Sequence, residues 1–171
     1  SSPMTSTRLL KVFLCHASAD KPAVRNLYHY LKARKVDAWL DAEKLLGGQN
    51  WREEIPKAIF SSDAIIVCLS KNSVNKEGYV QTEIKFALDK AKEMPAGRIF
   101  LIPAKLEECD VPRELSEFHW VNLFEEDGYR RLMRSLRARA EQIGATKVSA
   151  GQDSIPSREV TENAKRETDE K

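Results

Sequence analysis

The feature of the sequence that most restricts its fold is an alternation of short apolar runs with longer amphipathic stretches. The apolar runs cover residues 9–15, 36–40, 64–70, 98–104 and 119–123. This pattern is typical of β-strands joined by crossover helices, and right-handed crossovers place such helices on both faces of a parallel sheet. The sequence therefore predicts an α/β fold.

The polarity of the runs predicts the order of the strands. Residues 12–15 and 64–69 are almost uninterrupted apolar residues, which favours central strands covered on both faces. The second and fifth runs are more polar and are expected at the edges. Together they indicate a flavodoxin-like five-stranded parallel sheet of order 2-1-3-4-5. In that order, ligands bind beyond the carboxyl ends of strands one and three.

The amphipathic stretches predict four helices. The first begins after Asp20, a candidate N-cap, and carries Val24, Leu27, Tyr28 and Leu31 on its inner side. The others are expected from about residue 50, from about residue 78 to 92, and from residue 128 to 143.

Composition favours one globular domain and excludes several classes of function. The chain has 171 residues, of which 42% are apolar, and a net charge of +2 with acids and bases interspersed. There is no electrostatic reason to expect binding to nucleic acid or to a membrane surface. No apolar run approaches the roughly 20 residues of a membrane span. We expect residues 1–7 to be a disordered N-terminus or a cloning remnant, residues 8–144 to form the domain, and residues 145–171 to be a polar linker or tail.

Cysteine usage indicates a reducing compartment. Cys15, Cys68 and Cys109 are odd in number and lack metal-type spacing. Two of them lie inside apolar runs that predict buried strands. We therefore expect three reduced thiols and a cytoplasmic protein.

The crevice rule selects the segments that follow strands one, two and three, and common ligand motifs are absent from them. No GxGxxG follows a strand, and no GxxxxGK followed by Ser or Thr is present. A phospho-receiver would need acidic residues at the ends of strands one and three, where this chain has Cys15-His16 and Leu69-Ser70. Dinucleotide binding of the Rossmann type, phosphoryl transfer and phospho-relay are therefore disfavoured.

A single carboxylate in the third helix stands out. At about 100° per residue, Val80, Ile84, Ala87, Leu88 and Ala91 form the face toward the sheet. A second strip lies beside it and contains Tyr79, Glu83, Phe86 and Lys90. Glu83 thus lies in the first turn, at the border of buried surface. A glutamate there either complements the helix dipole or serves a site in the crevice; helix context alone favours the first role, and the position at the crevice adds support to the second.

Other candidate residues have structural alternatives. His16 ends a central strand, where a hydrogen-bonded structural histidine and a ligand contact are equally expected. Trp39 is expected to pack on an edge strand. His29, in the first helix, and His119, at the start of the fifth strand, have no partners that suggest a metal site or a catalytic triad. We predict no metal site.

Four segments, in this order, resemble motifs of the Toll/interleukin-1 receptor (TIR) domain, and of its bacterial, NAD+-cleaving branch in particular. They are KVFLCHASAD (11–20), VDAWLDAEKLLGGQNWREEI (36–55), SSDAIIVCLSKNSV (61–74) and GYVQTEI (78–84). The resemblance covers about residues 11–143. Departures from the family pattern are Cys15, where serine is common, and Ala17-Ser18, where some NAD+-cleaving members carry arginines.

The resemblance implies two functional classes. Some TIR domains are scaffolds that assemble through the loop after the second strand, called the BB loop. Others cleave NAD+ to nicotinamide and ADP-ribose or a cyclic isomer. Glu83 falls at the catalytic glutamate of the second class, and Tyr79 at the aromatic residue four positions earlier. This favours an NAD+ glycohydrolase or ADP-ribosyl cyclase, acting as a signalling or NAD-depleting effector, over a non-catalytic TIR–TIR interaction module. NAD+ would be the substrate, and no cofactor is expected.

The same resemblance suggests which residues contact NAD+. Tyr79 and Trp51 are candidates for stacking on the nicotinamide ring, and the BB loop is expected to cover the ribose. The remaining candidates follow strands one, two and three and would contact ribose or phosphate. They are His16, Ala17, Ser18, Asp41, Lys44, Leu45, Gly48 and Ser70. For Asp41, which ends strand two, a helix-cap or turn role is equally expected. We also expect self-association through TIR–TIR contacts and a sensor domain or partner beyond the C-terminal linker.

Overall fold

The computed structural model describes residues 8–40, 57–74, 80–93 and 100–145, excluding the side chains of Glu83 and Phe86. These residues form an all-parallel sheet of five strands in the order β2-β1-β3-β4-β5. The strands are β1 (Leu10–Cys15), β2 (Val36–Leu40), β3 (Ala64–Leu69), β4 (Phe100–Lys105) and β5 (Val121–Asn122). The predicted flavodoxin-like order is confirmed.

Helices cover both faces of the sheet. They are α1 (Lys21–Ala33), α2 (which includes residues 57–61), α3 (Thr82–Lys92) and α4 (Gly128–Ile143). Alternate residues of each strand point to opposite faces, so the core forms two clusters. On one face, Val12 and Ile66 pack with residues of α1 and α4. On the other, Phe13 and Ile65 pack with Ile59 of α2 and with α3.

Helix α3 buries the face that the sequence predicts. Ile84, Ala87 and Leu88 are at most 1% exposed, and Val80, just before the helix, is 8% exposed. Ala91 is partly buried against the same cluster. The outward positions of the helical wheel, among them Lys85 and Asp89, are exposed. Helix α3 is therefore held against the sheet by one apolar stripe.

Helix α4 has the predicted bounds because a glycine stands at each end. At Gly128 an added Cβ would lie 2.0 Å from the carbonyl oxygen of Asn122, so only glycine allows this approach to β5. Gly144 ends the helix in the left-handed conformation, with φ of 71°. Of the five arginines in α4, Arg139 is buried, and its Nε donates to the carbonyl oxygen of Asp63 at 2.9 Å.

Helix α1 differs in detail from its prediction. Tyr30 is buried in the core, at 4% exposure, whereas Tyr28 is only partly buried at its border. The Tyr30 ring packs edge-on against Tyr129 of α4, with centroids 5.0 Å apart. The prediction of Tyr28 as an inward residue depends on spacing within α1 alone. Tyr30 is the more deeply buried tyrosine because it also contacts α4.

The edge strands are the two polar runs, as predicted. Trp39 of β2 packs near Phe13, with ring centroids 6.4 Å apart. Strand β5 has two residues, so His119 lies before it rather than at its start, and both His119 and His29 are exposed. The three cysteines form no disulfide bond with one another, and Cys15 and Cys68 are buried in β1 and β3. None of the described helices is long and apolar enough to cross a membrane. The predictions for residues 1–7 and for most of the 145–171 tail lie outside the described residues.

Candidate functional site

The segments that follow β1 and β3 meet at the carboxyl end of the sheet. These strands are neighbours, and Cys15, the last residue of β1, pairs with Val67 of β3. Residues 16–20 continue from β1 into a short 3-10 turn and then into α1, while residues 70–74 form a turn after β3. The described part of the predicted crevice is therefore assembled from these two segments.

Asp20 links the two segments. It is 7% exposed, and its carboxylate accepts hydrogen bonds from the Ser70 hydroxyl at 2.5 Å and from the Asn72 side-chain amide at 3.1 Å. Asp20 occupies the N-cap position of α1, as predicted, but its side chain makes no capping hydrogen bond. The carboxylate thus serves the turn after β3 rather than the helix that it begins.

Hydroxyl groups hold the turn after β3 in one shape. The Ser70 hydroxyl accepts from the backbone N–H groups of Asn72 at 3.0 Å and of Ser73 at 3.3 Å. The Ser73 hydroxyl donates to the Ser70 carbonyl at 3.0 Å and accepts from the Ser70 N–H at 2.8 Å. Because Ser70 also donates to Asp20, its hydroxyl uses its one donor and both of its acceptor positions.

The same turn fixes the beginning of α3. The backbone N–H of Gln81, the N-cap residue of α3, donates to the Ser73 carbonyl at 3.0 Å. The Gln81 side-chain amide donates to the carbonyl of Asn72. Val74 and Val80 form an antiparallel bridge beside these contacts. Helix α3 therefore starts from a point that is tied to the ends of β1 and β3.

Glu83 is the second residue of α3 and lies two positions after this anchored N-cap. Its backbone is thereby placed in the first turn of the helix, at the carboxyl end of β3. The unpaired backbone N–H groups of a helix N-terminus stabilise negative charge there.

Four of the residues predicted to contact substrate are described, and they differ in accessibility. His16, Ala17 and Ser70 are buried, at 3%, 1% and 1% exposure, whereas Ser18 is exposed. Nδ1 of His16 lies 2.7 Å from the Ala17 carbonyl oxygen. Since that oxygen only accepts, Nδ1 carries the proton, and in the neutral ring Nε2 is an acceptor. His16 thus has the hydrogen-bonded environment of a structural histidine, and its contact with substrate stays a prediction.

The other predicted site residues lie outside the described part of the chain. For Glu83 this applies to the side chain alone. The roles proposed for these positions stay predictions. They concern Asp41, Lys44, Leu45, Gly48, Trp51 and Tyr79.

Sequence reasoning missed the polar residues that organise this end of the sheet. Asp20 is predicted as a helix cap within the segment after strand one, without a contact to the turn after β3, and Asn72, Ser73 and Gln81 are given no role. A signal for them was present, because Ser70, Asn72 and Ser73 follow a central strand within the segment selected by the crevice rule. Polar residues at such a position have to satisfy one another or a ligand.

A cavity of about 330 Å³ lies elsewhere, in the segment that leads into β5. It is lined by residues 116–120, including the exposed His119 and Trp120. The four described substrate-contact candidates, His16, Ala17, Ser18 and Ser70, are not among these lining residues. Within the described ranges, no group of three or more His, Cys, Asp or Glu side chains could hold a metal ion.

Comparison with known proteins identifies the family. The TIR domain of the Toll-related receptor TRR-2 from Hydra magnipapillata aligns with a TM-score of 0.61 at 22% identity, covering 74% of this chain and 97% of that one. A prokaryotic SEFIR domain aligns with a TM-score of 0.55 at 18% identity, covering 74% and 92%. At these identities the likenesses show the fold alone. No curated protein sequence matches the chain. The family model for the TIR domain matches residues 12–133, which is most of the chain, and the protein therefore belongs to the TIR domain family.

Proposed function

We propose that this TIR domain cleaves the bond between nicotinamide and ribose in NAD+, as a glycohydrolase or ADP-ribosyl cyclase, with Glu83 as its catalytic residue. Membership of the TIR family supports the proposal in general terms, because that family includes NAD+-cleaving members. Glu83 matches the catalytic glutamate of those members within the segment GYVQTEI. In the cell the activity would deplete NAD+ or produce a signal.

The observation that carries the proposal is the anchored start of α3. Gln81 is tied to Ser73, and Ser73 belongs to the turn that Asp20 holds against the end of β1. Glu83 follows within the first turn of α3. Open α/β sheets bind ligands at the carboxyl ends of their strands, where the order of the strands reverses. The backbone of Glu83 lies in that region.

One carboxylate is sufficient for this reaction. When the glycosidic C–N bond of NAD+ breaks, its electron pair goes to the ring nitrogen, and the cationic pyridinium leaves as neutral nicotinamide. No acid has to protonate the leaving group, unlike in glycosidases, which use two carboxyl groups. The sugar develops oxocarbenium character, which an ionised glutamate stabilises through its charge and through hydrogen bonds to ribose hydroxyls. Water then adds to the sugar and releases a proton, or a nucleophilic atom of the same molecule closes a ring.

The remaining contacts proposed for NAD+ are ring stacking on nicotinamide and polar contacts with ribose or phosphate. Stacking of Tyr79 or Trp51 on the cationic ring would contribute on the order of 1 kcal/mol. Ser18 is the accessible candidate on the segment after β1 for a phosphate or ribose contact. The Ser70 hydroxyl has no hydrogen-bonding capacity left, so a ribose contact would replace one of its present bonds.

Nicotinamide release from NAD+ tests the proposal. The purified protein should release nicotinamide, and Glu83→Ala should reduce the rate at least about 100-fold, because the developing sugar cation loses its counter-charge. Asp89→Ala is the matched control, since Asp89 is an exposed carboxylate on the outward side of the same helix. It should retain the rate of the unmodified protein. Equal rates for Glu83→Ala and Asp89→Ala would remove the assignment.

Protein concentration separates the catalytic proposal from the scaffold alternative. We propose that self-association completes the site, so the rate per protein should rise with concentration or crowding. A rate per protein that is constant over a wide range would contradict assembly dependence. A non-catalytic TIR–TIR module predicts no loss of NAD+ at any concentration, together with self-binding that depends on residues 46–49. Chromatographic separation of the products would distinguish linear from cyclic ADP-ribose.

A further inference from the structure

We propose that Asp20 is a positioning residue for this cleavage: through Ser70 and the turn at residues 70–74, its carboxylate fixes the start of α3 and therefore the location of Glu83. The inference rests on the proposed function and adds to it a residue that touches no reacting atom. It follows from the hydrogen-bond path from Asp20 to the N-cap of α3.

The first step of the path is the burial of Asp20 among neutral partners. A buried carboxylate loses its hydration and is tolerated only when hydrogen bonds replace it. The described residues provide two donors, the Ser70 hydroxyl and the Asn72 amide. These donors come from positions 50 and 52 residues later in the chain. The carboxylate therefore holds together the ends of two strands.

The second step depends on the Ser70 hydroxyl, whose donor and acceptor positions are all occupied. Its hydroxyl donates to Asp20 and accepts from the backbone of Asn72 and of Ser73, which sets the shape of the turn. In Asp20→Asn, the new amide nitrogen would face either the Ser70 hydroxyl or the Asn72 amide. Both groups already donate, and Ser70 has no free lone pair to accept another bond. The turn would have to rearrange to avoid a buried, unsatisfied donor.

The third step transmits the rearrangement to Glu83. The Ser73 carbonyl accepts from the backbone N–H of Gln81, and the Gln81 carbonyl accepts from Lys85 within the first turn of α3. The start of α3 therefore moves with the turn, and Glu83 lies between Gln81 and Lys85. A misplacement of about 1 Å in a catalytic group costs roughly 100-fold in rate. The predicted contacts of Trp51 and of residues 41–48 to the rest of NAD+ lie on other segments and would persist.

Steady-state kinetics of Asp20→Asn test the role. We expect kcat to fall roughly 10- to 100-fold, with the KM for NAD+ within about twofold of the unmodified protein. Asn72→Ala removes one of the two donors at an exposed residue and should lower kcat only a few-fold. The double variant should be no slower than Asp20→Asn alone, because both changes break the same path. A raised KM with unchanged kcat, or unchanged kinetics in Asp20→Asn, would overturn the role.

Asp63→Asn is the matched control. Asp63 is 8% exposed, close to the 7% of Asp20, but it lies at the opposite end of the sheet. Asp63→Asn should lower stability and leave kcat per folded molecule unchanged. An equal loss of kcat in the two variants would mean that any buried aspartate has this effect, and would contradict a specific positioning role.

Amide hydrogen exchange tests the path without using activity. In Asp20→Asn, exchange at Gln81 and Lys85 should accelerate at least about tenfold relative to the amides of β3, because the start of α3 is released. In Asp63→Asn these ratios should not change. If the unmodified protein releases no nicotinamide, the proposed function is wrong. Amide exchange in Asp20→Asn would still show whether the Asp20 carboxylate holds the start of α3 in place. Unaltered exchange at Gln81 in a folded Asp20→Asn would disprove the path.

Discussion

The two ends of the sheet each contain one buried aspartate, and the two residues have different partners. At the amino end, the Asp63 carboxylate accepts two hydrogen bonds from the Arg8 guanidinium, at 2.7 and 2.9 Å, and one from the Lys11 N–H at 2.9 Å. At the carboxyl end, Asp20 has the neutral donors of Ser70 and Asn72 among the described residues. Among the described residues, the Asp63 carboxylate is therefore compensated by a charged partner as well as by hydrogen bonds, and the Asp20 carboxylate by hydrogen bonds from neutral groups.

The backbone of Asp63 adds further links. Its N–H donates to the Lys11 carbonyl at 2.8 Å, while its carbonyl accepts from the Phe100 N–H at 3.3 Å and from Arg139 Nε at 2.9 Å. Asp63 therefore joins β1, β4 and α4 just before β3 begins. Its connections are those of a residue that stabilises the fold.

This contrast assigns stability to the amino end of the sheet and the proposed function to its carboxyl end. Charge pairing at the amino end joins strands that already lie side by side. The network of Asp20 instead spans two loops and the start of a helix, which are the elements that parallel sheets use for ligands. Variants that affect one end and not the other can test this separation, and the largest effect on stability is expected near β5.

Gly128→Ala should cause the largest loss of stability. A Cβ at this position would lie 2.0 Å from the Asn122 carbonyl oxygen, so α4 or β5 has to shift. We expect the free energy of unfolding to fall by about 3 kcal/mol, measured by urea denaturation. Gly144→Ala is the control, because a Cβ there meets nothing within 4 Å and only the left-handed φ of 71° opposes it, at about 1 kcal/mol. Equal losses in the two variants would contradict the packing argument.

The Gly128→Ala variant also tests whether the carboxyl end of β5 contributes to the proposed activity. Asn122 is the last residue of β5, so the change affects the carboxyl end of the sheet outside the crevice of β1 and β3. The NAD+-cleaving rate per folded molecule should therefore stay unchanged. A large loss of rate would extend the functional region to the β5 edge.

Asp63→Asn should have an intermediate effect on stability. Its new amide nitrogen would face the Arg8 guanidinium, and the buried hydrogen bonds of the carboxylate would be partly lost. Because Arg8 is half exposed, most of the loss comes from hydrogen bonding rather than from the charge pair. We expect about 2 kcal/mol by urea denaturation. No loss of stability would show that the amino-end network does not contribute.

The smallest effect should appear as a pH dependence. Burial alone would raise the pKa of Asp63, but hydrogen bonds from Arg8 and Lys11, with the charges of Arg8 and Arg139, lower this pKa below its ordinary value of 3.8. The folded-state pKa is the lower one, so the stability from ionised Asp63 is complete above about pH 5 and is lost as pH falls below 4. The stability difference between the unmodified protein and Asp63→Asn should shrink over that range. A difference that grew on acidification would contradict the lowered pKa.

The fold was predictable because the sequence patterns that indicate it, apolar runs and helical periodicity, are local. The strand order follows from which runs are uninterrupted and which are polar, and the limits of α4 follow from Gly128 and the helical period. The inward face of α3 follows from the same period. A contact between distant elements was missed: Tyr30 is buried against Tyr129, whereas the predicted Tyr28 is partly buried at the border of the same core.

The candidate site was predicted only in part, for a physical reason. The crevice rule selected the segments after β1 and β3, which hydrogen bonds join at the carboxyl end of the sheet, and family resemblance selected Glu83. The role of Asp20 depends on partners about 50 residues away in the chain, and a helix cap is the more frequent local role for an aspartate before Lys21-Pro22. Spacing along the chain contains no information about such a contact.

The isosteric variant Glu83→Gln is the sharpest test of catalysis by the Glu83 carboxylate, because it removes one negative charge and little else. Nicotinamide release should be measured at a high protein concentration, beside the melting temperature of each protein. We expect the rate to fall at least about 100-fold while the melting temperature stays within about 2 °C of the unmodified protein. A rate within twofold of the unmodified protein would contradict catalysis by a carboxylate at the start of α3.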